Sequence, residues 1–139
     1  MHICLILFSV ADELLSCQTI KITLKNEVLA HHGECQGTYE LSASVNGRPT
    51  WTSQPTAQTA TAIWYVQDHN IWMIGELIEI GKPKGSIVTE GTLFGANSKW
   101  KYNKRKNNTW TEIVDTNDFS IECIARKGTN QQYLIQRQS

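Results

Sequence analysis

Apolar and polar residues alternate along much of the chain. The clearest case is Thr19 to Lys25, where Ile20, Ile22 and Leu24 fall on one face of an extended strand and polar residues fall on the other. Such alternation predicts a strand with one buried face and one face in water. Further short segments are also predicted to be strands: Thr38 to Ala43, Ile63 to Gln67, Asn70 to Gly75, Ser86 to Glu90, Lys99 to Asn103, Thr109 to Val114, Phe119 to Ala125 and Gln131 to Gln136.

Turn-forming residues separate these segments. They stand at Asn46-Gly47, Asp68 to Asn70, Gly81 to Gly85, Gly95 to Asn97, Asn107-Asn108 and Lys127 to Asn130. Many short strands with frequent turns are typical of an antiparallel sandwich or a small barrel. We therefore predict an all-β fold of about 8–10 short strands with little helix. Only Asn26 to His32, and the region around Leu14 if it is retained, are expected to form a brief helix.

The strongest turn signal is Asn46-Gly47. Both residues tolerate positive φ, which predicts a tight hairpin between Leu41 to Val45 and Arg48 to Trp51. Pro49 has no N–H to donate to a sheet ladder, so the second strand of this hairpin is expected at a sheet edge. Arg48 is expected to stack on an aromatic ring or to pair with a carboxylate.

The chain contains five tryptophans, at Trp51, Trp64, Trp72, Trp100 and Trp110. Their flat faces and N–H donors suit stacking on sugars or planar ligands. However, a small β domain with three Phe and two Met also needs tryptophan to fill its core. We expect most of them in the core and a minority at the surface. A second hairpin is predicted around Asp68-His69, and Trp64 and Trp72, if paired across it, would make an aromatic cross-strand contact.

The N-terminal segment resembles a secretory signal peptide. Ile3 to Val10 is uncharged and mostly apolar, which fits an apolar region of about 7–15 residues and is too short to span a bilayer. Cleavage after Ala11 follows the small-residue rule better, whereas cleavage after Cys17 leaves an even number of cysteines. We predict a signal peptide at 1–17 and a single β-rich domain at 18–139. The alternatives are a buried N-terminal strand of a cytosolic protein and a wrongly assigned chain start.

Removal of residues 1–17 would leave two of the four cysteines in the mature chain. Cys35 and Cys123 then remain and are predicted to form a disulfide that joins the first third of the domain to its last strands. Buried thiols are the alternative if the protein is not secreted. The chain lacks C-x-x-C pairs and zinc-type Cys/His spacing, so no metal site and no cofactor are predicted.

A basic cluster lies between positions 99 and 106, at Lys99, Lys101, Lys104, Arg105 and Lys106. Strand alternation places Trp100 and Tyr102 on the face opposite to Lys99 and Lys101. With Trp100 and Trp110 nearby, the cluster predicts either a polyanion site, for example for acidic polysaccharide, or a solvated hairpin tip without a ligand. Asn107 begins an N-x-Thr sequence, which predicts glycosylation of the same tip in a secreted protein.

The net charge of the chain and its lack of known catalytic motifs narrow the range of possible functions. The 13 basic and 13 acidic residues balance, which excludes a domain whose whole surface is built for nucleic acid. No nucleophile elbow, zinc-protease, dinucleotide or P-loop motif is present. His31-His32 is not expected to chelate a metal jointly, and Glu112, Asp115 and Asp118 lack the order of an EF-hand. No catalytic residue is predicted, and the protein is not expected to be an enzyme.

Four segments in sequence order carry a resemblance: Gly37-Thr38-Tyr39, Val45 to Trp51, Ile63-Trp64-Tyr65 and Trp72 to Gly75. Together they resemble a module of extracellular invertebrate and protist proteins with the pattern G-x-Y, N-G-R-P-x-(Y/W), I-W-Y, W-x-I-G. Asn46, Gly47, Arg48 and Pro49 match its second element; Trp51 stands where Tyr is more usual, and Gln54 to Thr61 is longer than the pattern requires. The resemblance covers 37–75 and continues loosely to Cys123. It implies a secreted β-rich recognition or structural unit and no active site.

These observations predict a secreted, non-catalytic recognition module. Its expected ligand is an extracellular glycan or a protein surface. A structural or interaction protein without a small ligand is the alternative, and a small hydrolase ranks third. No specific nucleic-acid partner and no transmembrane segment are predicted.

Overall fold

A computed structural model describes residues 17–53, 59–95, 97–104 and 109–126. One helix, α1 (Asn26–His32), lies where the sequence predicts it. The described residues form nine strands: β1 (Cys17–Leu24), β2 (Gly37–Val45), β3 (Arg48–Ser53), β4 (Thr61–Val66), β5 (Ile71–Glu76), β6 (Ile87–Thr89), β7 (Trp100–Lys104), β8 (Thr109–Glu112) and β9 (Phe119–Arg126). The predicted strand Gln131 to Gln136, the region around Leu14 and the predicted signal peptide, apart from Cys17, lie outside the described residues.

The strands form a single antiparallel sheet that curls into a half-barrel. Among the described residues the strand order is β8-β7-β6-β5-β4-β3-β2-β1-β9. The all-β prediction is confirmed, and the architecture is one curled sheet rather than two packed sheets. β1 lies between β2 and β9, with Ile20 opposite both Tyr39 and Cys123. Directly opposite residues share a face, so the apolar side of β1 faces the inside of the curl.

β8 and β9, the outermost of the described strands, come close to each other at one end. Only residues 113–118 connect them, and six extended residues span at most about 20 Å. The rings of Trp100 in β7 and Phe119 in β9 have centroids 4.5 Å apart. The Ile113 amide donates to the Trp100 carbonyl at 2.9 Å. The sheet therefore curls far enough for its far ends to touch.

The main core fills the inside of the curl. Tryptophan supplies much of its volume: the Trp72 ring contacts both Trp51, at 6.0 Å between centroids, and Tyr65, at 5.4 Å. The buried Trp51 N–H donates to the Cys17 carbonyl at 3.1 Å. Four of the five tryptophans are buried, as predicted: Trp51, Trp64, Trp72 and Trp100.

A second apolar cluster lies on the outer face of β4 to β6. Trp64 and Met73 belong to it, and residues 77–85 cover it, since the Trp64 N–H donates to the Lys82 carbonyl at 2.9 Å. Every residue of β4 is consequently buried. The predicted hairpin forms between β4 and β5, but Trp64 and Trp72 are not paired across it: Trp64 lies opposite Met73, whereas Trp72 lies opposite Tyr65. The two indoles therefore belong to opposite faces of the sheet.

The hairpin between β2 and β3 forms as predicted, with φ of 56° at Asn46 and 75° at Gly47. The edge position predicted for β3 is wrong, because β3 lies between β2 and β4. Pairing with β4 covers only Trp51 and Thr52, so Pro49 lies beyond the paired residues and its missing N–H breaks no ladder bond. Continuing the register places Pro49 opposite Tyr65, whose carbonyl accepts from the Asn46 side-chain amide at 2.9 Å.

Arg48 has the structural role predicted for it. Its guanidinium carbon lies 4.9 Å from the centroid of the Tyr65 ring, which is a stacking distance for a cation on an aromatic face. The interaction joins the start of β3 to β4 at the point where their backbone pairing has stopped.

The predicted Cys35–Cys123 disulfide is wrong. Cys123 of β9 is bonded to Cys17, the first residue of β1, with Cα atoms 5.9 Å apart. Assigning Cys17 to the removed segment took the correct partner out of consideration. The Cys35 thiol is buried at the end of the 3-10 turn Gly33–Cys35 that follows α1.

Helix α1 covers one open end of the curl. Val28 and His32 are its buried residues, and the His32 ring Nε2 lies against the Asn103 carbonyl of β7. Within the part of the chain that is described, no helix is long and apolar enough to cross a membrane.

Candidate functional site

The β7–β8 hairpin carries most of the residues singled out from the sequence. Lys101 lies opposite Glu112, and Asn103 lies opposite Trp110. Opposite residues share a face, so these four side chains form one outer surface, here called the hairpin face. Trp100 and Tyr102 are buried on the inner side, which confirms the predicted alternation. Arg105, Lys106 and Asn107 lie outside the described residues.

Trp110 is the exposed tryptophan, with 43% of its surface accessible. It stands beside Asn103 and diagonally next to Lys101, within reach of a large ring. Trp100, also a predicted ligand-binding residue, is only 8% exposed and packs on Phe119. The two predicted tryptophans are therefore not parts of one platform.

The charge of the hairpin face is mixed. Lys101 Nζ lies 2.5 Å from a carboxylate oxygen of Glu90. This hydrogen-bonded ion pair lowers the pKa of Glu90 and raises that of Lys101. Lys99 is exposed and also lowers the pKa of Glu90, and Lys104 is half-buried. Because Glu90 compensates Lys101, the described part of the cluster is less basic than its sequence indicates, and a purely electrostatic polyanion site is less favoured.

A cavity of about 300 Å³ opens where β9 approaches the residues before β7. We call it the seam cavity. Its apolar lining includes Trp100, Ile113, Phe119 and Ile121, with Ser98 and Ser120 at its polar positions. No local sequence pattern predicts this cavity, because it exists only through the pairing of β9 with β1 at the far end of the sheet.

A second cavity, of about 280 Å³, lies on the other side of Ile113. We call it the acidic cavity because Glu27, Glu112, Asp115 and Asp118 line it. The sequence pointed to the last three, and the fold adds Glu27 from α1. Within the described ranges, no group of three or more Asp, Glu, His or Cys is placed to hold a metal ion.

Tyr102 is a buried polar residue of the acidic cavity. Its hydroxyl donates to Glu27 at 2.9 Å. Burial, together with this hydrogen bond and the Glu27 charge, raises the pKa of Tyr102 to about 12. His31, which the sequence grouped with His32, is half-buried with its ring 5.7 Å from that of Tyr102. These contacts support the packing of α1 on β7.

Comparison with models of protein families, with curated proteins and with solved structures finds no match for this chain. The resemblance of residues 37–75 to an extracellular module therefore stays a prediction.

Proposed function

We propose that the protein is a secreted, non-catalytic recognition domain that binds a glycan on the hairpin face. The observation that carries this proposal is the exposure of Trp110 on an antiparallel hairpin, when the other four tryptophans are buried. An indole in this position presents a flat apolar surface to solvent. Sugar rings offer the complementary C–H face.

The surroundings of Trp110 suit a ligand that is rich in hydroxyl groups. Lys101, on the diagonal, offers ammonium donors, and Glu112, opposite Lys101 on the same face, offers carboxylate oxygens as acceptors. An exposed aromatic ring with polar side chains around it combines apolar contact with directional hydrogen bonds. Small-ligand sites use this combination to fix the orientation of the ligand.

Charge favours a neutral or mildly acidic glycan over a strong polyanion. Lys99 and Lys104 add positive charge near the face, while the Glu90 carboxylate holds Lys101 in an ion pair. We therefore expect modest salt sensitivity instead of the steep dependence that counterion release from a polyanion gives.

The disulfide supports an oxidising compartment for the folded protein. It also favours one of the two signal cleavage positions. Cleavage after Ala11 keeps Cys17 in the mature chain, whereas cleavage after Cys17 removes the partner of Cys123. We therefore propose a signal peptide that ends at Ala11, with Asn107 as the predicted glycan acceptor of the mature protein.

The test is a glycan array probed with the wild-type protein and with Trp110→Ala. Val114→Ala is the matched control, because Val114 is 84% exposed and apolar but lies outside the hairpin face. We expect the wild type and Val114→Ala to bind the same glycans and Trp110→Ala to lose them. Equal binding by both variants would contradict the site, and no binding by any form would favour a structural unit without a glycan ligand.

Retention on a heparin column tests whether the basic side chains of the hairpin bind a polyanion through their charge. Lys104→Ala and Lys101→Ala are compared with Lys82→Ala, an exposed lysine between β5 and β6. A small and similar effect of all three substitutions is expected. A large loss of retention confined to Lys101 and Lys104 would show that the cluster acts as a polyanion site.

A further inference from the structure

The side-chain amide of Asn46 joins three parts of the chain. Asn46 occupies the first turn position of the β2–β3 hairpin, with φ of 56°. Its Nδ2 donates to the Tyr65 carbonyl of β4 at 2.9 Å and to the Gly81 carbonyl at 3.2 Å. Gly81 belongs to residues 77–85, here called the cover segment. Both hydrogens of the amide nitrogen are therefore used on backbone acceptors of other segments.

The contact with Gly81 holds the cover segment on the outer face of the sheet. Gly81 packs directly on the hairpin: a Cβ atom on it would lie 3.0 Å from Val45 Cγ1, and its φ of 87° favours glycine. The next carbonyl along the chain, that of Lys82, accepts from the Trp64 indole N–H at 2.9 Å. Asn46 and Trp64 therefore hold neighbouring carbonyls of the cover segment.

The residue after Asn46 is glycine, and this is the only Asn-Gly pair in the sequence. An asparagine side chain is attacked by the backbone nitrogen of the residue that follows it, and glycine, which has no Cβ, hinders this attack least. The Gly47 nitrogen bonds to the Asn46 Cγ and closes a succinimide ring. The Cγ–Nδ2 bond breaks, and Nδ2 leaves as ammonia with the proton from the Gly47 nitrogen. Water then opens the ring at either carbonyl, which gives aspartate or isoaspartate.

Water reaches the Asn46 side chain, but the folded structure restrains it. Asn46 is exposed and lines a cavity of about 180 Å³ together with Asp68 and His69. Attack by Gly47 requires the side chain to rotate away from the Tyr65 and Gly81 carbonyls. Its two hydrogen bonds oppose this rotation while the cover segment is in place. The reaction therefore proceeds from the arrangement in which the cover segment has moved away.

Conversion of Asn46 to an acid removes the donor that holds the cover segment. An acceptor oxygen then takes the place of Nδ2 and faces the Tyr65 and Gly81 carbonyls, which are themselves acceptors. Asp68, on the same cavity, adds a second negative charge. Oxygen atoms at hydrogen-bond distance without a hydrogen between them repel each other. The closed position of the cover segment is consequently disfavoured after the reaction.

We propose that Asn46 is a deamidation site and that its conversion releases the cover segment irreversibly. The amide keeps the segment closed, opening of the segment lets the amide react, and the product carboxylate prevents closure. Release uncovers the outer apolar cluster around Trp64 and Met73, and an exposed apolar face of this kind is available to other molecules. The site does not use Trp110 and is independent of glycan binding.

The first test is a peptide map of the protein after incubation at mildly alkaline pH, with and without urea. In urea, mass spectrometry should show Asn46 converted to aspartate and isoaspartate. Over the same period Asn97 and Asn117, which precede serine and aspartate, should keep their amides. The folded protein should convert Asn46 more slowly. An intact Asn46 in urea, or equal rates with and without urea, would overturn the proposal.

A variant that opens the cover segment tests its protective effect. Gly81→Ala brings a side chain against Val45 at a φ that disfavours alanine, so it moves the segment away from the hairpin. Gly33→Ala is the matched control, because the nearest atom there is 3.8 Å away. Without urea, Gly81→Ala should convert Asn46 at a rate approaching that in urea, and Gly33→Ala at the wild-type rate. Equal rates in the two variants would contradict protection by the cover segment.

Hydrogen exchange of two indole N–H groups measures the release. The Trp64 N–H is bonded to the cover segment, whereas the Trp51 N–H is bonded to the Cys17 carbonyl inside the curl. In Asn46→Asp, the Trp64 N–H should exchange faster and the Trp51 N–H at the wild-type rate. Asn97→Asp adds the same charge at another exposed position and should change neither. Unchanged exchange of the Trp64 N–H in Asn46→Asp would overturn the proposal.

The Trp51 N–H also shows whether a variant is folded. If Gly81→Ala or Asn46→Asp loses protection of the Trp51 N–H, wild-type protein deamidated by incubation takes its place. That sample should show faster exchange at Trp64 alone, and unchanged exchange there would refute the release. Its binding to the glycan array should equal that of fresh protein, so failure of the deamidation site and failure of the hairpin face can be told apart.

Discussion

The Tyr102 hydroxyl donates a hydrogen bond to the Glu27 carboxylate at 2.9 Å, across 75 positions of sequence. Tyr102 belongs to β7, near the end of the sheet order, and Glu27 belongs to the helix that follows β1. The bond therefore reaches across the open end of the half-barrel. It fixes α1 as a cover over the inner core.

This bond makes stability sensitive to alkaline pH. The pKa of Tyr102 in the folded protein is raised to about 12 by burial and by Glu27, from about 10 in an unfolded chain. A raised pKa means that the folded state holds the proton more tightly. The associated stability is complete below about pH 10 and is lost as the pH rises toward about 12.

Absorbance of the phenolate, recorded together with circular dichroism, measures this titration. Tyr102→Phe should remove the step near the high pKa and lower the free energy of unfolding at neutral pH by about 1–2 kcal/mol, since it deletes a hydrogen bond to a carboxylate. Burial also raises the pKa of Tyr39, so a late titration should persist in this variant. Ionisation of Tyr102 at the ordinary value would contradict the buried hydrogen bond.

The Cys17–Cys123 bond should contribute strongly to stability. The two residues are 106 positions apart, and closing so long a loop is worth about 4–5 kcal/mol in the chain-entropy model. Cys123→Ser should lower the free energy of unfolding in urea by an amount of this order. Cys35→Ala is the control and should leave the bond intact. A non-reducing peptide map that links Cys35 to Cys123 would refute the pairing.

Gly75 should not accept a side chain. A Cβ atom there would lie 2.9 Å from the Gly85 Cα and 3.2 Å from the Ser86 nitrogen. Both are backbone atoms, which cannot move aside without a substantial cost in free energy. Gly75→Ala is expected to destabilise by about 1–3 kcal/mol through overpacking. At Gly33, where the nearest atom is a Leu29 side-chain carbon at 3.8 Å, alanine should fit. Thermal unfolding of the two variants measures this difference. Equal melting temperatures of the Gly75 and Gly33 variants would contradict the prediction.

The Glu90–Lys101 pair should respond to acid. Lys101 lowers the pKa of Glu90, so the folded state favours the carboxylate. The contribution of the pair is present above the ordinary Glu pKa and is lost as the pH falls through the lowered value. Carbon NMR of the Glu90 carboxyl should show this titration, and Lys101→Ala should return it toward the ordinary value. An unchanged Glu90 titration in that variant would show that the ion pair does not form in solution.

Strands with one buried face were predictable from the sequence together with the face that is buried, whereas β4 was predicted as a strand but not as one buried on both faces. β1 alternates from Ile20 to Leu24 because the Ile20 side is buried there and Lys21, on the other side, is exposed. β4 is buried throughout because residues 77–85 cover its outer side, and no local pattern reveals such a cover. The edge predicted from Pro49 failed for a related reason. Proline excludes a ladder bond at one position only, and β4 has already stopped pairing there.

The alternation of apolar and polar residues along β7 predicted only part of the candidate site. Local spacing was sufficient to place Lys101 outside and Tyr102 inside. It could not reveal that Glu90, at the end of β6, neutralises Lys101, because that contact depends on the pairing of β6 with β7. Likewise, Glu27 joins the acidic cavity only because α1 crosses the end of the curl.

The position of β1 between β2 and β9 dictates an order of events during synthesis. β1 leaves the ribosome before the other described strands, yet one of its two neighbours is the last of them. Until residues near 126 emerge, Cys17 is without its partner, while Cys35, 18 positions away, is available for a shorter loop. An early Cys17–Cys35 bond is therefore expected to form first in an oxidising compartment and to be exchanged when Cys123 arrives. Sheet completion and correct oxidation would then be one late step, for which a disulfide isomerase is the natural catalyst.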